Sequence, residues 1–206
     1  MDNIINKYFN LSSCQSDQFD KLFSIYNLLN LNINLISRKD FEHFYERHVL
    51  HSLSIAKFFP FNDGSNIMDL GTGGGFPGIP LAIMFPKVNF HLVDSIGKKI
   101  NAVNEVILDL DLNNVTTSHL RAEEVNIEFD FIVSRAVSKL NKLNLWSKDK
   151  ISSNHTHSFK NGLICLKGGD LISETKKFKQ RVIIKSISDI FTEEFFEHKK
   201  IIHLTK

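Results

Sequence analysis

The chain has 206 residues, of which 42% are apolar and 23% charged, with a formal net charge of +2 at pH 7. That length holds one generous domain with a sizeable core, and no uncharged apolar run reaches the roughly 18 residues a transmembrane helix needs. Cys14 and Cys165 match no metal or redox spacing and are expected as free, buried thiols in a reducing cytoplasm.

The first residues, Met1-Asp2-Asn3-Ile4, lack the basic flank and apolar stretch of a signal peptide, so the expected location is cytoplasmic. Residues 1–60 read as helical. Phe19, Leu22, Phe23, Tyr26, Leu28 and Leu29 recur at three- and four-residue steps. After a break at 30–37, Phe41, Phe44, Tyr45, His48, Val49 and Leu53 continue the pattern, with Ser37 or Asp40 as its cap. Residues 1–62 are therefore expected as a helical segment packed on a main domain at 63–206. From residue 66 the pattern alternates. Short apolar strands are expected at 67–70, 90–93, 115–118, 131–133, 162–166, 181–187 and 200–204, and helices near 79–85, 98–110, 138–147 and 173–179. Alternating β and α with short connections predicts an α/β fold, a mostly parallel seven-stranded sheet with helices on both faces. The polar stretch 148–161 is expected as a loop.

Between the first strand and its helix lies Asp69-Leu-Gly-Thr-Gly-Gly-Gly-Phe-Pro-Gly-Ile-Pro80, with five of the ten glycines in eight positions. Glycine tolerates positive φ and close approach to a ligand, and a strand turning into a helix offers free N–H groups and a positive dipole end. Two cofactors suit it. Gly73-x-Gly75-x-x-Gly78 matches the dinucleotide fingerprint, with Asp94 sixteen residues further on. Asp69 followed by Gly71-x-Gly73-x-Gly75 matches the first motif of Rossmann-like class I methyltransferases, in which an acidic residue at the strand end can reach the amino group of a methionine moiety. Pro77 and Pro80 favour S-adenosylmethionine, because they remove N–H groups a pyrophosphate would use.

Asp94, closing the second strand, is placed to accept from both ribose hydroxyls. Ala122 and Glu123 follow the third strand, where such folds read an adenine ring. Arg135 follows the fourth, within reach of a cofactor carboxylate or an RNA phosphate. Lys167 ends the fifth strand and is expected to face the same crevice. His155 and His157 have no Cys or carboxylate close by, so no metal site is expected. Residues 1–134 carry 10 Lys and Arg against 16 Asp and Glu, whereas 135–206 carry 15 against 7. The basic second half suits a polyanionic partner.

These motifs, with Glu46-Arg-His-Val-Leu-His-Ser-Leu53, Arg121-Ala-Glu-Glu124, Ser134-Arg-Ala136 and Leu166-Lys-Gly168 in order, resemble the bacterial 16S ribosomal RNA guanine-N7 methyltransferase family (small-subunit methyltransferase G, or glucose-inhibited division protein B). The resemblance runs from about residue 25 to the C-terminus. It implies methyl transfer from S-adenosylmethionine to guanine N7 in the helix 18 decoding-region loop of 16S rRNA, in the small ribosomal subunit. It also implies cofactor contacts at Gly71, Phe76, Ala122, Glu123 and Arg135, to which the ribose argument adds Asp94. N7 carries no proton when it attacks, so no catalytic acid or base is expected; Arg135, Lys139 and Lys167 are expected to hold the RNA. The chain departs from the pattern at His51, where the family usually has Asp, and at Asn34-Leu35-Ile36-Ser37, which replaces the usual Asn-Leu-Thr. A non-catalytic RNA-binding or ribosome-assembly factor on the same fold, and an NAD-dependent oxidoreductase, are the competing readings.

Overall fold

The computed structural model describes residues 4–178 and 181–206. Residues 1–3, where no signal peptide is expected, and residue 179, the last of the helix expected at 173–179, lie outside them.

Helix α1 (Ser13–Asn32) opens with a capping box between Ser12 and Gln15, which satisfies donors the first turn would otherwise leave free. Its buried stripe is Phe19, Leu22 and Tyr26. Cys14 sits before that stripe begins and is exposed, contrary to expectation, whereas Cys165 is buried. The break at 33–37 is ordered by Asn30, whose side chain accepts from the N–H groups of Leu35 and Ile36 and donates to the Ile36 carbonyl. Ser37 then caps the short α2 (Arg38–Phe41). The next segment is not one α-helix, as its periodicity suggests: Tyr45–Leu50 winds as a π-helix before α3 (His51–Phe58). A π turn widens the register by one residue.

The sheet comprises β1 (Asn66–Leu70), β2 (Asn89–Asp94), β3 (Val115–His119), β4 (Phe131–Arg135), β5 (Gly162–Gly168), β6 (Val182–Ser186) and β7 (Lys199–Thr205). Their spatial order is β3-β2-β1-β4-β5-β7-β6. The first five run parallel, and β7 lies antiparallel to both β5 and β6. Pleating sends successive side chains to opposite faces, so each strand feeds two cores. Ile67, Phe131, Val133, Ile164 and Ile201 join the first with α1, α3, α4 (Gly78–Met84) and α5 (Gly97–Asp109). Met68, Ile132, Leu163, Cys165 and Ile202 join the second with α6 (Leu140–Ser147). A short α7 (Ile172–Thr175) follows β5.

Polar side chains of the first helix fasten it to the ends of others. Gln15 donates to the Ile83 and Met84 carbonyls that close α4, and Gln18 to the Leu110 carbonyl beyond α5. Those carbonyls have no intrahelical partner, so α1 docks where acceptors are unmet. On the sheet, the buried Ser134 hydroxyl donates to the Leu70 carbonyl at 2.9 Å, joining the ends of β4 and β1. Beyond those two strand ends the order reverses, which is where open α/β sheets bind ligands. No helix among the described residues is long and apolar enough to cross a membrane.

Candidate functional site

The turn after β1 folds over the end of β2: the Val93 carbonyl accepts from the N–H groups of both Gly71 and Thr72, at 2.9 and 3.0 Å. Beneath it lies the fully buried Asp69. Its Oδ2 accepts from the Thr72 hydroxyl at 2.6 Å and the Gly78 N–H at 2.8 Å. Burial pushes this carboxyl up to about 7 against those two hydrogen bonds. Asp69 thus holds the loop through Oδ2, has Oδ1 buried without a partner, and is not on the cavity lining, where the expected contact with a ligand amino group would need it. Gly71 has φ +72°, and a Cβ there would lie 2.6 Å from a Val137 methyl. At Gly78 a Cβ would meet Asp69 Oδ2 and Leu92 at 2.8 Å, so the turn sits directly on its supports.

Asp94 closes β2 and ties the turn to the next helix. Its Oδ2 accepts from Gly73 N–H and its Oδ1 from Ile96 N–H, both at 2.9 Å. Each carboxylate oxygen has two lone-pair sites, so each keeps one acceptor position open. Ala122 and Glu123 lie on a 3₁₀ turn (Ala122–Glu124) after β3. Ile96 and Leu120, both over a third exposed, stand on the same cavity wall.

A second wall comes from the N-terminal helices. Arg135, half-buried at the end of β4, donates to the Arg47 carbonyl at 3.1 Å and to His48 Nδ1 at 3.0 Å. Its guanidinium lies 5.0 Å from the Phe76 ring centroid, a cation–π distance. Burial lowers it to about 10, which leaves it charged at neutral pH. Phe76 is buried against Tyr26, Phe44 and His48. Burial, followed by the Arg135 charge, lowers His48 to about 3 and holds His51 well below its usual range. Asp40 pairs with Arg47 at 3.0 Å, and Phe195 carries Arg47 and Lys199 at its ring, 5.5 and 4.6 Å from the centroid. Tyr26 couples the two walls by donating its buried hydroxyl to the Gly74 carbonyl at 2.6 Å.

Between these walls is a cavity of about 650 Å³ that brings together Gly71, Phe76, Asp94, Ala122, Glu123 and Arg135. It does not include Lys139 or Lys167. Lys167 is no free cation in the crevice: its Nζ donates to the Ser138 carbonyl at 2.6 Å and pairs with Glu174 at 3.0 Å. Burial would raise Glu174, but the Leu140 N–H and Lys167 hold it below the usual carboxylate range. This clamp fixes the segment between β4 and α6. Lys139 is exposed at the N-terminus of α6. Lys99, on α5, also lines the cavity. His155 and His157 are acceptors for backbone N–H groups of Asn161 and Asn62. No cluster of metal-ligating side chains occurs among the described residues.

Sequence reasoning missed Asp40, Arg47, His48, His51, Phe195 and Lys199 as wall residues. The first four sit in a stretch whose apolar spacing reads as core. The available signal was the run Arg47-His48 with His51, three basic-type side chains on a helix that otherwise packs inward.

The sequence profile of the rRNA small subunit methyltransferase G family matches residues 15–203. A ribosomal RNA small subunit methyltransferase G from Bacteroides thetaiotaomicron is 55% identical over 201 residues, covering 97% of this chain and 98% of that one. Its counterpart from Flavobacterium johnsoniae is 50% identical, covering 99% and 97%. Among solved structures, a SAM dependent methyltransferase from Aquifex aeolicus shares the fold, with TM-score 0.56 and 17% identity over 74% of this chain and 88% of that one.

Proposed function

This chain belongs to the rRNA small subunit methyltransferase G family, and from that premise we propose that it methylates N7 of a guanine in the helix 18 loop of 16S rRNA, within the small ribosomal subunit. It is an S-adenosylmethionine-dependent rRNA methyltransferase. Residues 63–206 form the catalytic domain in this reading, with 1–62 as a wall added to its cavity, and the enzyme works in the cytoplasm.

The observation that carries the reading is the joining of the glycine turn, Asp94 and Ala122–Glu123 in one cavity at the parallel strand ends. The donor set fits the cofactor. Asp94 keeps an acceptor position on each oxygen, as a pair of ribose hydroxyls requires. Ile96 and Leu120 offer apolar surface beside Ala122 and Glu123, suited to a planar base. A Cβ on Gly73 would stand in open space, so the turn leaves room above it. Gly71 and Phe76 complete the floor, and Arg135 provides unused guanidinium donors for a carboxylate.

When bound, the cofactor supplies an electrophilic methyl group. Guanine N7 attacks with its lone pair and releases no proton, so the protein needs no general base. Its contribution is to align the nucleophile and exclude water. The two walls do this jointly, because Arg135 reaches from the strand end to the backbone of Arg47 and the ring of His48. Lys139 contacts the RNA backbone at the rim. Lys167 acts through the Glu174 clamp, holding the segment that follows Arg135 and carries Val137.

The test compares N7-methylguanine in ribosomal RNA from cells lacking the protein, complemented with wild type or Asp94→Asn. Loss of the modification in the deletion and its return only with wild type is the expected result. An unchanged modification pattern in the deletion defeats the reading.

A further inference from the structure

The cavity runs past the strands that the cofactor reading uses. Its lining includes Leu70, Asp94 and Arg135 at the ends of β1, β2 and β4, and also Lys199 at the start of β7. Because β7 is antiparallel, Lys199 pairs with Gly168, the last residue of β5, and stands at the same edge of the sheet as the parallel strand ends. Neighbouring strands lie about 4.8 Å apart. In the order β3-β2-β1-β4-β5-β7, Lys199 is therefore on a strand about 10 Å beyond that of Arg135 and about 19 Å beyond that of Asp94. A cofactor with its ribose at Asp94 and its carboxylate at Arg135 spans β2 to β4. The end over β5 and β7 is left to the acceptor.

That end is lined by Phe195 and the two cations at its ring. Arg47 and Lys199 lie 5.5 and 4.6 Å from the ring centroid. Arg47 is paired with Asp40 at 3.0 Å. Lys199 has no hydrogen bond or ion pair among the described residues. Its Nζ is also not among the buried atoms that lack a partner, so it opens to solvent. Phe195 is seated edge-on against Phe196 and His51, at 5.1 and 5.5 Å, which fixes the ring that carries the ammonium. After burial and the Arg135 charge, the Lys199 charge is the next influence that keeps His51 neutral, so it bears on this end of the cavity. An ammonium held by an aromatic face keeps its three N–H donors for a ligand.

The acceptor of an rRNA methyltransferase is a nucleotide, and every nucleotide in a chain brings a phosphodiester anion. A base reaches the methyl group once its nucleotide is turned out of the stack, and a fixed cation on the backbone holds it there. Resting on the cofactor placement above, we propose that Lys199, carried by the Phe195 ring, binds the phosphodiester of the target nucleotide at the β5–β7 end of the cavity. Such a contact positions the RNA and reads no base. It takes no part in moving the methyl group. The other anion that suits this ammonium is the cofactor's carboxylate, and the test separates the two.

The test compares wild type with Lys199→Gln, Lys199→Arg and Lys200→Gln. Lys200 is the next residue of β7, on the opposite face of the sheet and off the cavity lining. Calorimetry with S-adenosylhomocysteine measures the cofactor site, with Asp94→Asn as the variant expected to weaken it. Methylation of small ribosomal subunits from cells lacking the protein gives kcat and KM over a series of potassium chloride concentrations. In Lys199→Gln we expect KM to rise about 5- to 20-fold, the salt slope to fall by about one unit, and kcat to stay within about twofold. S-adenosylhomocysteine affinity should hold, because Lys199 contacts Phe195 and no bond joins it to Gly71, Phe76, Asp94, Ala122, Glu123 or Arg135. Lys199→Arg should keep most of the wild-type KM, and Lys200→Gln all of it. An unchanged KM and slope in Lys199→Gln overturns the proposal. So does an equal rise in Lys200→Gln, which makes the effect one of general surface charge. A loss of S-adenosylhomocysteine affinity in Lys199→Gln also overturns it, and assigns the ammonium to the cofactor carboxylate. Wild-type affinity in Asp94→Asn overturns the cofactor placement, and the proposal with it.

Discussion

The cavity has two walls built on different principles. The glycine turn is a backbone structure: Gly71 and Gly73 adopt positive φ, Asp69 is buried beneath it, and Asp94 accepts its N–H at the rim. The helical wall is a side-chain structure in which His48 packs on Phe76 of the turn and Arg47 on Phe195 near the C-terminus, with Arg135 at the Phe76 ring, through aromatic and cation–π contacts. A backbone wall needs particular residue types at particular positions and so leaves a motif. A side-chain wall can be assembled from residues that elsewhere would be ordinary core, and it leaves only periodicity.

The largest test of this contrast is Asp69→Ala. It strands the Thr72 hydroxyl and the Gly78 N–H in the interior, and about 2–4 kcal/mol of stability should be lost in denaturant titrations. S-adenosylhomocysteine binding should weaken along with it, since that carboxyl holds the turn at both Thr72 and Gly78. Stability within error of wild type would mean the turn holds itself.

Tyr26→Phe removes the hydroxyl that joins the walls while keeping the ring beside Phe76. A loss of about 1–2 kcal/mol is expected from the unmatched Gly74 carbonyl. The contrast sharpens if Tyr26→Phe and a helical-wall substitution, combined, cost measurably less or more than their sum. Strict additivity would show the walls to be independent.

The walls also answer pH in opposite senses. Asp69 has its carboxyl raised from 3.8 to about 7, so its contribution is present below about pH 4 and is lost as pH rises through 7. His48 is lowered from 6.5 to about 3, and His51 well below 6.5. Their contribution is present above pH 6.5 and is lost as pH falls toward 3. Between pH 4 and 6.5 the slopes oppose each other. Urea unfolding across that window should show stability climbing more steeply with pH in Asp69→Asn than in wild type, and less steeply in His48→Phe. The reverse order would break the assignment.

The smallest effect is expected outside both walls. Lys139→Ala should change stability by less than about 0.5 kcal/mol yet reduce the salt dependence of RNA binding by about one unit of slope. An unchanged slope removes Lys139 from the RNA path.

The same contrast explains what could be read in the sequence. The strand order needed only alternation of short apolar runs with helices, and the glycine turn announced itself by composition. That Asp94 lines the cavity was legible because a residue ending a strand beside such a turn stands at the crevice; that it also ties Gly73 and Ile96 was not. Lys167 misled because its position at a strand end is visible in sequence, whereas its pairing with Glu174 arises only when α7 folds back. Asp69 misled in the same way: a motif gives the residue, but its rotamer decides whether it faces ligand or loop. His48 and His51 stayed hidden because the π turn shifts the register by a residue, so a 3.6-residue reading sends them inward.

The Ser134–Leu70 bond has a kinetic side. It joins residues 64 apart, and the pairing of β1 with β4 that carries it is a contact of long sequence separation. Such contacts must overcome loop-closure entropy before they return any stability, and they slow the search for the native topology. The cavity floor is divided between those two strand ends, so it exists only once that pairing has closed. A ligand that binds there and not to the unpaired chain therefore stabilises the folded molecule.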